Sequence, residues 1–314
     1  MTDHYVITGG YGCIGVWAAK LLADEDAQVT IADITNDDHR LRLIAGDATR
    51  STIQYRYCDL TEPASVDEAL AGATHVIHLG ALQVPFCRTD PRAGAAVNVG
   101  GTINVFETAL THEIEHVTWA SSVAVYAPPT SPDELITDDT PFGPTTLYGG
   151  YKVANELNAA VYADELGLAT IGLRPHTLYG PGRDQGLTSQ PTQAIGAALR
   201  GERYAIGYGG EIGFQFAPDV AHWFIAAVRA AGSGPASVHN VGGTIASVAE
   251  FASAIESAVP GAVDLISYGL DPLPFPKGAD DSSLRARLGD LQETPLLDGV
   301  ALTADIFRRA VSSI

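Results

Sequence analysis

An α/β fold, with a doubly wound parallel sheet followed by a smaller C-terminal lobe, is what this sequence predicts. Three observations carry that expectation. Short apolar runs of strand length alternate with helix-length stretches through the first half of the chain, and a glycine-rich turn separates the first run from the first helix. After Arg174 the alternation loosens into Gly-Pro-rich loops. Strands joined through helix-length spacers run parallel with right-handed crossovers, so helices cover both faces of the sheet.

The strand signals fall at 5–7, 29–32, 53–57, 76–79, 117–120 and 170–174, with helices at 16–23, 65–71, 95–112 and 148–166. Six or seven parallel strands are expected, within a first domain spanning 1–174. Residues 175–314 are expected to form mainly the second lobe, with helices at 193–200, 219–231 and 248–258 and one strand near 237–243 returning to the sheet.

Composition narrows the function. Of 314 residues 46% are hydrophobic and 18% charged, the balance of a folded globule. Eighteen Lys and Arg face 37 Asp and Glu, and the net charge of −19 repels a phosphate backbone or an anionic membrane, so neither nucleic acid nor membrane is an expected partner. With Lys20, Lys152 and Lys277 as its only lysines, the acidity fits solubility, a biased genome or a salty cytoplasm equally well. No run of 18 apolar residues exists, and Met1-Thr2-Asp3 leads straight into a strand-like stretch, so a cytoplasmic location is expected. Cys13, Cys58 and Cys87 share no metal-type spacing, which argues against zinc and against a disulfide framework.

The turn Thr8-Gly9-Gly10-Tyr11-Gly12-Cys13-Ile14-Gly15 places glycines at G-x-x-G-x-x-G. Gly9 allows the sharp turn, Gly12 allows a pyrophosphate to approach the backbone, and Gly15 allows the helix to pack closely on the sheet. Asp33 ends the second strand, eighteen positions beyond Gly15. A carboxylate there accepts both ribose hydroxyls of NAD and repels the extra phosphate of NADP, although it could also cap the turn Asp33-Ile34-Thr35-Asn36. NAD is the expected cofactor.

Tyr148 and Lys152 lie one helical turn apart on the same face. A neighbouring ammonium and the positive nicotinamide ring both favour phenolate, moving a phenol that ordinarily titrates near 10 towards general acid/base work. Upstream, Ser121-Ser122 follows a strand, where a hydroxyl can bond the same substrate oxygen.

With the glycine turn, these residues resemble the extended short-chain dehydrogenases/reductases, and specifically the NAD-dependent epimerase/dehydratase family typified by UDP-galactose 4-epimerase, whose sheet is of Rossmann type. Cys58-Asp59-Leu60, His78-Leu79-Gly80-Ala81, Asn98-Val99-Gly100-Gly101-Thr102, Leu173-Arg174-Pro175 and Tyr179-Gly180-Pro181-Gly182 extend the likeness, which is most specific in the first 180 residues. The resemblance implies that Tyr148 is the acid/base, Lys152 its activator and a holder of the nicotinamide ribose, and Ser122 the hydroxyl partner. It implies cofactor contacts for Gly9, Gly12, Cys13, Ile14, Gly15, Asp33, Asp59, Leu60, Leu79, Gly80, Ala81 and Asn98. For Asp59 and Asn98 a turn or cap role is the alternative. Gln83, Tyr126, His176, Tyr179 and Arg183 are expected to frame the substrate, with Arg174 and Arg88 as further candidates; a structural role for His176 stays open. The resemblance also implies a homodimer through helices 95–112 and 148–166.

Departures from the family pattern point to the reaction. Val123 and Ala124 stand where nucleotide-sugar dehydratases carry an acidic pair, so 4,6-dehydration is not expected. Two arginines that clamp a nucleotide-sugar diphosphate are missing, since Ile212-Gly213-Phe214 and Leu270-Asp271-Pro272-Leu273 occupy their places. Arg183, Arg203 or Lys277 could substitute. The expected activity is NAD-dependent hydride transfer at a secondary alcohol of a small polar substrate, a sugar or sugar acid without a nucleotide handle. Net dehydrogenation is favoured over free-sugar epimerisation. UDP-sugar 4-epimerisation is the alternative, and a non-catalytic NAD-binding sensor or scaffold is the alternative of another class.

Overall fold

The computed structural model describes residues 3–129, 131, 135–274, 276–291 and 293–312, so Met1 and Thr2 lie outside the described residues. The first-half strands are β1 (His4–Thr8), β2 (Gln28–Asp33), β3 (Ile53–Tyr57), β4 (His75–His78), β5 (His116–Ala120) and β6 (Ile171–Arg174). The second half contributes β7 (Thr177–Tyr179), β8 (Tyr204–Ile206), β9 (Glu211–Phe216), β10 (Ser237–Asn240), β11 (Thr244–Ser247) and β12 (Ile266–Tyr268).

Seven strands form one parallel sheet in the order β10-β6-β5-β4-β1-β2-β3. In its centre Ile7 lies opposite Ile31 on one side and Ile77 on the other, and the returning strand β10 places Ser237 opposite Ile171. Strand alternation makes the sheet two-sided: Tyr5 and Ile7 enter one core while Val6 enters another. The first core is closed by the helices Cys13–Asp24 and Ala217–Ala230. The second is closed by Pro63–Leu70, Gly101–Thr111 and Leu147–Leu166, through Leu70, Phe106 and Ala159. Helix Ala217–Ala230 thus belongs to the sheet's own core although it comes from the second half of the chain.

The second lobe is built on a three-stranded sheet, β11-β9-β7, and a parallel pair, β12-β8. Phe214, Phe251, Ile195 and Val300 fill its separate core. The helix expected at 95–112 is a longer run, Pro91–Ala95, a π-helical turn Ala96–Gly100, and Gly101–Thr111. Among the described residues no helix is long and apolar enough to cross a membrane, no group of three or more His, Cys, Asp or Glu gathers to hold a metal, and the three cysteines are free.

Candidate active site

The loops at the C-terminal ends of the parallel strands β1 to β5 lie along one end of the sheet, and most of the expected cofactor residues lie in them. Gly9 adopts φ +63°, and a Cβ there would stand 2.6 Å from Gly80 Cα. A Cβ on Gly15 would meet Gly10 Cα at 2.6 Å. These contacts bring the first and fourth loops together and seat the first helix. Gly12 caps that helix without a side-chain bond, so the first-turn N–H groups beside Cys13 and Ile14 stay open to an anion.

Asp33 accepts from Tyr11 N at 3.0 Å and Thr35 N at 3.2 Å, combining the turn role with an accessible carboxylate. Burial raises its pKa, against the lowering effect of the backbone bonds from Tyr11, Thr35 and Ile34. Asp59 spends Oδ1 on the N–H and hydroxyl of Thr61, at 2.9 and 2.8 Å. Leu60 is buried beneath the Leu79-Gly80-Ala81 loop, where a Cβ on Gly80 would lie 2.5 Å from Leu60 Cδ1. A backbone cradle free of Cβ atoms, an open helix N-terminus and a carboxylate after β2 together fit NAD.

The hydride-transfer group is assembled by a close helix approach. Ser122 begins a 3-10 turn after β5, and a Cβ on Gly149 would stand only 2.1 Å from Ala124 O. Glycine at 149 therefore lets the helix Leu147–Leu166 start against this turn, and Thr146 caps it by accepting from Gly149 N at 3.0 Å. The result brings the Ser122 hydroxyl to the Tyr148 phenol, where it favours the phenolate. Lys152 Nζ lies 5.6 Å from the Tyr148 ring centre and donates to Ala120 O at 2.6 Å.

The expected lowering of the Tyr148 pKa is not present in this arrangement. Burial raises it, outweighing the lowering influence of the Ser122 hydroxyl and of the positive charge of Arg183, while the Lys152 charge is turned towards Ala120. Burial also holds the Lys152 ammonium down, to about 8.

Several expected contacts are redirected. Asn98 is fully buried, and its amide accepts from Leu82 N at 2.7 Å and donates to Leu82 O at 2.9 Å. Both ends are spent, so it fixes the loop after β4 and does not itself face the cofactor. Tyr126 is 4% exposed, and its hydroxyl bonds Asn240 Oδ1 at 2.9 Å and Arg174 Nη1 at 2.6 Å. Tyr179 lies inside the second core against Phe214, Phe216 and Phe251. His176 has both ring nitrogens engaged, Nε2 with Pro276 O at 2.6 Å and Nδ1 with Thr177 Oγ1 at 3.1 Å, which fits the structural alternative. Arg174, buried under the sheet end, pairs with Glu156. Of the expected substrate residues, Gln83, Ser122 and Arg183 remain at the cleft.

Sequence reasoning missed Glu156. It follows Lys152 by four positions and Tyr148 by eight, so helical periodicity puts it on their face, and that spacing was the signal available. It takes a bidentate pair from Arg174, with Nε 2.9 Å from Oε1 and Nη2 2.6 Å from Oε2, and it also accepts from Ser121 Oγ. A second unforeseen link joins Arg40 to Asp184 across the glycine turn, with Arg40 Nη1 donating to Tyr11 O at 3.0 Å.

A family model for the NAD dependent epimerase/dehydratase family matches residues 5–242. The chain belongs to that family. Among its relatives, UDP-glucose 4-epimerase of Mycolicibacterium smegmatis is 28% identical over 313 residues, covering 96% of this chain and 98% of that protein. L-arabinose 1-dehydrogenase (NAD(P)(+)) of Haloferax volcanii is 31% identical over 179 residues, 54% of this chain and 64% of that one. The structure of UDP-N-acetylglucosamine 4-epimerase from Methanobrevibacter ruminantium superposes with a TM-score of 0.84 at 23% identity, covering 100% of both chains, and shows the shared fold. This member of the epimerase family is accordingly an NAD-dependent enzyme on a Rossmann-like sheet.

Proposed function

We propose that this epimerase-family enzyme oxidises a secondary alcohol of a small, carbohydrate-like substrate without a nucleotide handle, in a net dehydrogenation. The observation that carries the reading is the seating of the Tyr148 helix, through Gly149, against the turn that begins at Ser122, with Lys152 Nζ 5.6 Å from the Tyr148 ring. NAD, when bound, supplies the two-electron hydride acceptor. The first turn of helix Cys13–Asp24 would hold its diphosphate, Asp33 its adenosine ribose, Asp59 and Leu60 its adenine, and Lys152 its nicotinamide ribose.

Ser122 orients the alcohol oxygen on Tyr148. As phenolate, Tyr148 takes the hydroxyl proton while hydride leaves the same carbon. One O–H and one C–H bond break, C–O becomes C=O, and the proton stays on the phenol. Lys152, released from Ala120 O to face the phenol, offsets the burial that disfavours phenolate.

Val123 and Ala124 supply no acid or base for dehydration. Ile212 and Phe214 are buried in the second core, Arg203 is exposed and Lys277 pairs with Glu211, which leaves Arg183 as the one candidate substitute for a two-arginine diphosphate clamp. The arabinose dehydrogenase relative supports oxidation, and the full-length likeness to a UDP-glucose 4-epimerase favours UDP-sugar epimerisation as the second reading. Incubation with NAD and a panel of sugars, sugar acids and UDP-sugars, following NADH absorbance, tests the choice. NADH formed stoichiometrically with product is expected, and an epimer formed without it overturns dehydrogenation. The exposed Leu157 and Val161, one turn apart on helix Leu147–Leu166, support a homodimer through that face.

A further inference from the structure

One guanidinium beside the loop after β4 has no carboxylate partner among the described residues. Arg183 is half-buried in the loop after β7. Its Nη2 donates to Thr188 Oγ1 at 2.8 Å, and its buried Nε has no partner. Tyr208, 4% exposed between β8 and β9, also buries a hydroxyl with no partner. The positive charge of Arg183 favours the ionised form of the Tyr148 and Tyr208 phenols, against the burial that raises both.

Gln83 approaches from the loop after β4. A Cβ on Gly186 would stand 2.6 Å from Gln83 Oε1 and 3.3 Å from Arg183 Nη2, so glycine at this position lets the two groups share the space. Buried N–H and O–H groups without acceptors are rare, and a guanidinium with an unspent Nε suits the two oxygens of a carboxylate. In a chain of net charge −19, such a local cation is what lets an anionic substrate settle.

We propose that Arg183 and Tyr208, flanked by Gln83, form a carboxylate subsite, so that the alcohol oxidised at Tyr148 belongs to a sugar acid or similar hydroxy acid; this rests on the hydride-transfer reading above. The rival ligand for the guanidinium is the cofactor's own diphosphate, because Arg183 also acts on the Cys13 thiol at the glycine turn. The test separates the two.

NADH formation is measured with D-galacturonate against D-galactose, D-glucuronate against D-glucose, and UDP-glucose, for the wild type, Arg183→Met and Tyr208→Phe. NAD binding is measured alongside by calorimetry. The acid of at least one pair is expected to be preferred. Arg183→Met should lower kcat/KM for that acid about 10- to 100-fold, chiefly through KM, and leave NAD affinity within about twofold. Tyr208→Phe, which keeps the ring that fills the core, should act in the same direction and by less. Preference for neutral sugars or UDP-glucose, equal losses on acid and neutral sugar, or weakened NAD binding with the acid preference intact would each overturn the subsite while leaving hydride transfer standing. Absence of both NADH and epimer from all five compounds would take the hydride-transfer reading down with it.

Discussion

Replacing Glu156 by Gln should both destabilise the protein and slow it. Glu156 is 5% exposed and Arg174 4%, and their two hydrogen bonds of 2.9 and 2.6 Å make a buried bidentate ion pair. In Glu156→Gln the guanidinium keeps one half-buried carboxylate neighbour, Asp138 at 3.4 Å, and loses the charge that neutralised it. Breaking such a pair costs about 3–5 kcal/mol, and with one amide oxygen still accepting we expect about 3 kcal/mol. Against a total stability of about 5–15 kcal/mol, that loss shows plainly as a lower urea midpoint at unchanged slope. The same carboxylate ties Ser121, and with it the backbone leading into Ser122, to the helix that carries Tyr148, so kcat should fall while the KM for NAD holds. The double variant Glu156→Leu, Arg174→Met removes both charges and should recover most of the stability but not the kcat. A loss below about 1 kcal/mol in Glu156→Gln, or full activity in the double variant, would refute a positioning role for the pair.

Gly15→Ala should lower the melting temperature and weaken NAD binding together, because its Cβ would lie 2.6 Å from Gly10 Cα and O; thermal unfolding with and without NAD checks this, and an unchanged pair of values contradicts the close packing. Lys152 carries a pH signature. Its folded pKa of about 8 lies below the unfolded 10.5, so between those values the unfolded chain binds more proton and the Lys152 contribution to stability rises with pH. Relative to Lys152→Met, the wild type should therefore gain up to about 3 kcal/mol from pH 8 to 10.5, read by urea unfolding, and a flat difference contradicts the burial of the ammonium. Leu157→Asp with Val161→Asp should convert a dimer to a monomer in sedimentation, and an unchanged mass contradicts the proposed face.

The parallel sheet was legible because its strands are short, apolar and separated by helix-length spacers, and β3 and helix Val248–Ala258 coincide with their expected bounds. β7, β8 and β12 have three residues each, and the β11-β9 pairing joins segments with no shared local signal, so the second lobe was not readable as sheets. The same contrast holds for the site. Gly9, Gly15, Tyr148 and Lys152 have meaning in spacing alone, and Glu156 could have been found by extending that helical spacing. Tyr208 carries no local sequence signal, and its unpartnered buried hydroxyl emerges only from tertiary packing. Tyr126 and Tyr179 follow motif segments but turn inwards, because each phenyl ring finds a core in the folded chain.

The most direct test of proton transfer through Tyr148 is a comparison of the wild type with Tyr148→Phe, using the substrate that the NADH panel identifies. Phenylalanine keeps the ring and removes the one group that accepts the alcohol proton. The expected result is NAD affinity within about twofold of the wild type and a kcat lower by about 10²- to 10⁴-fold. A Tyr148→Phe enzyme that retains more than a tenth of the wild-type kcat would contradict the assignment of Tyr148 as the acid/base of hydride transfer.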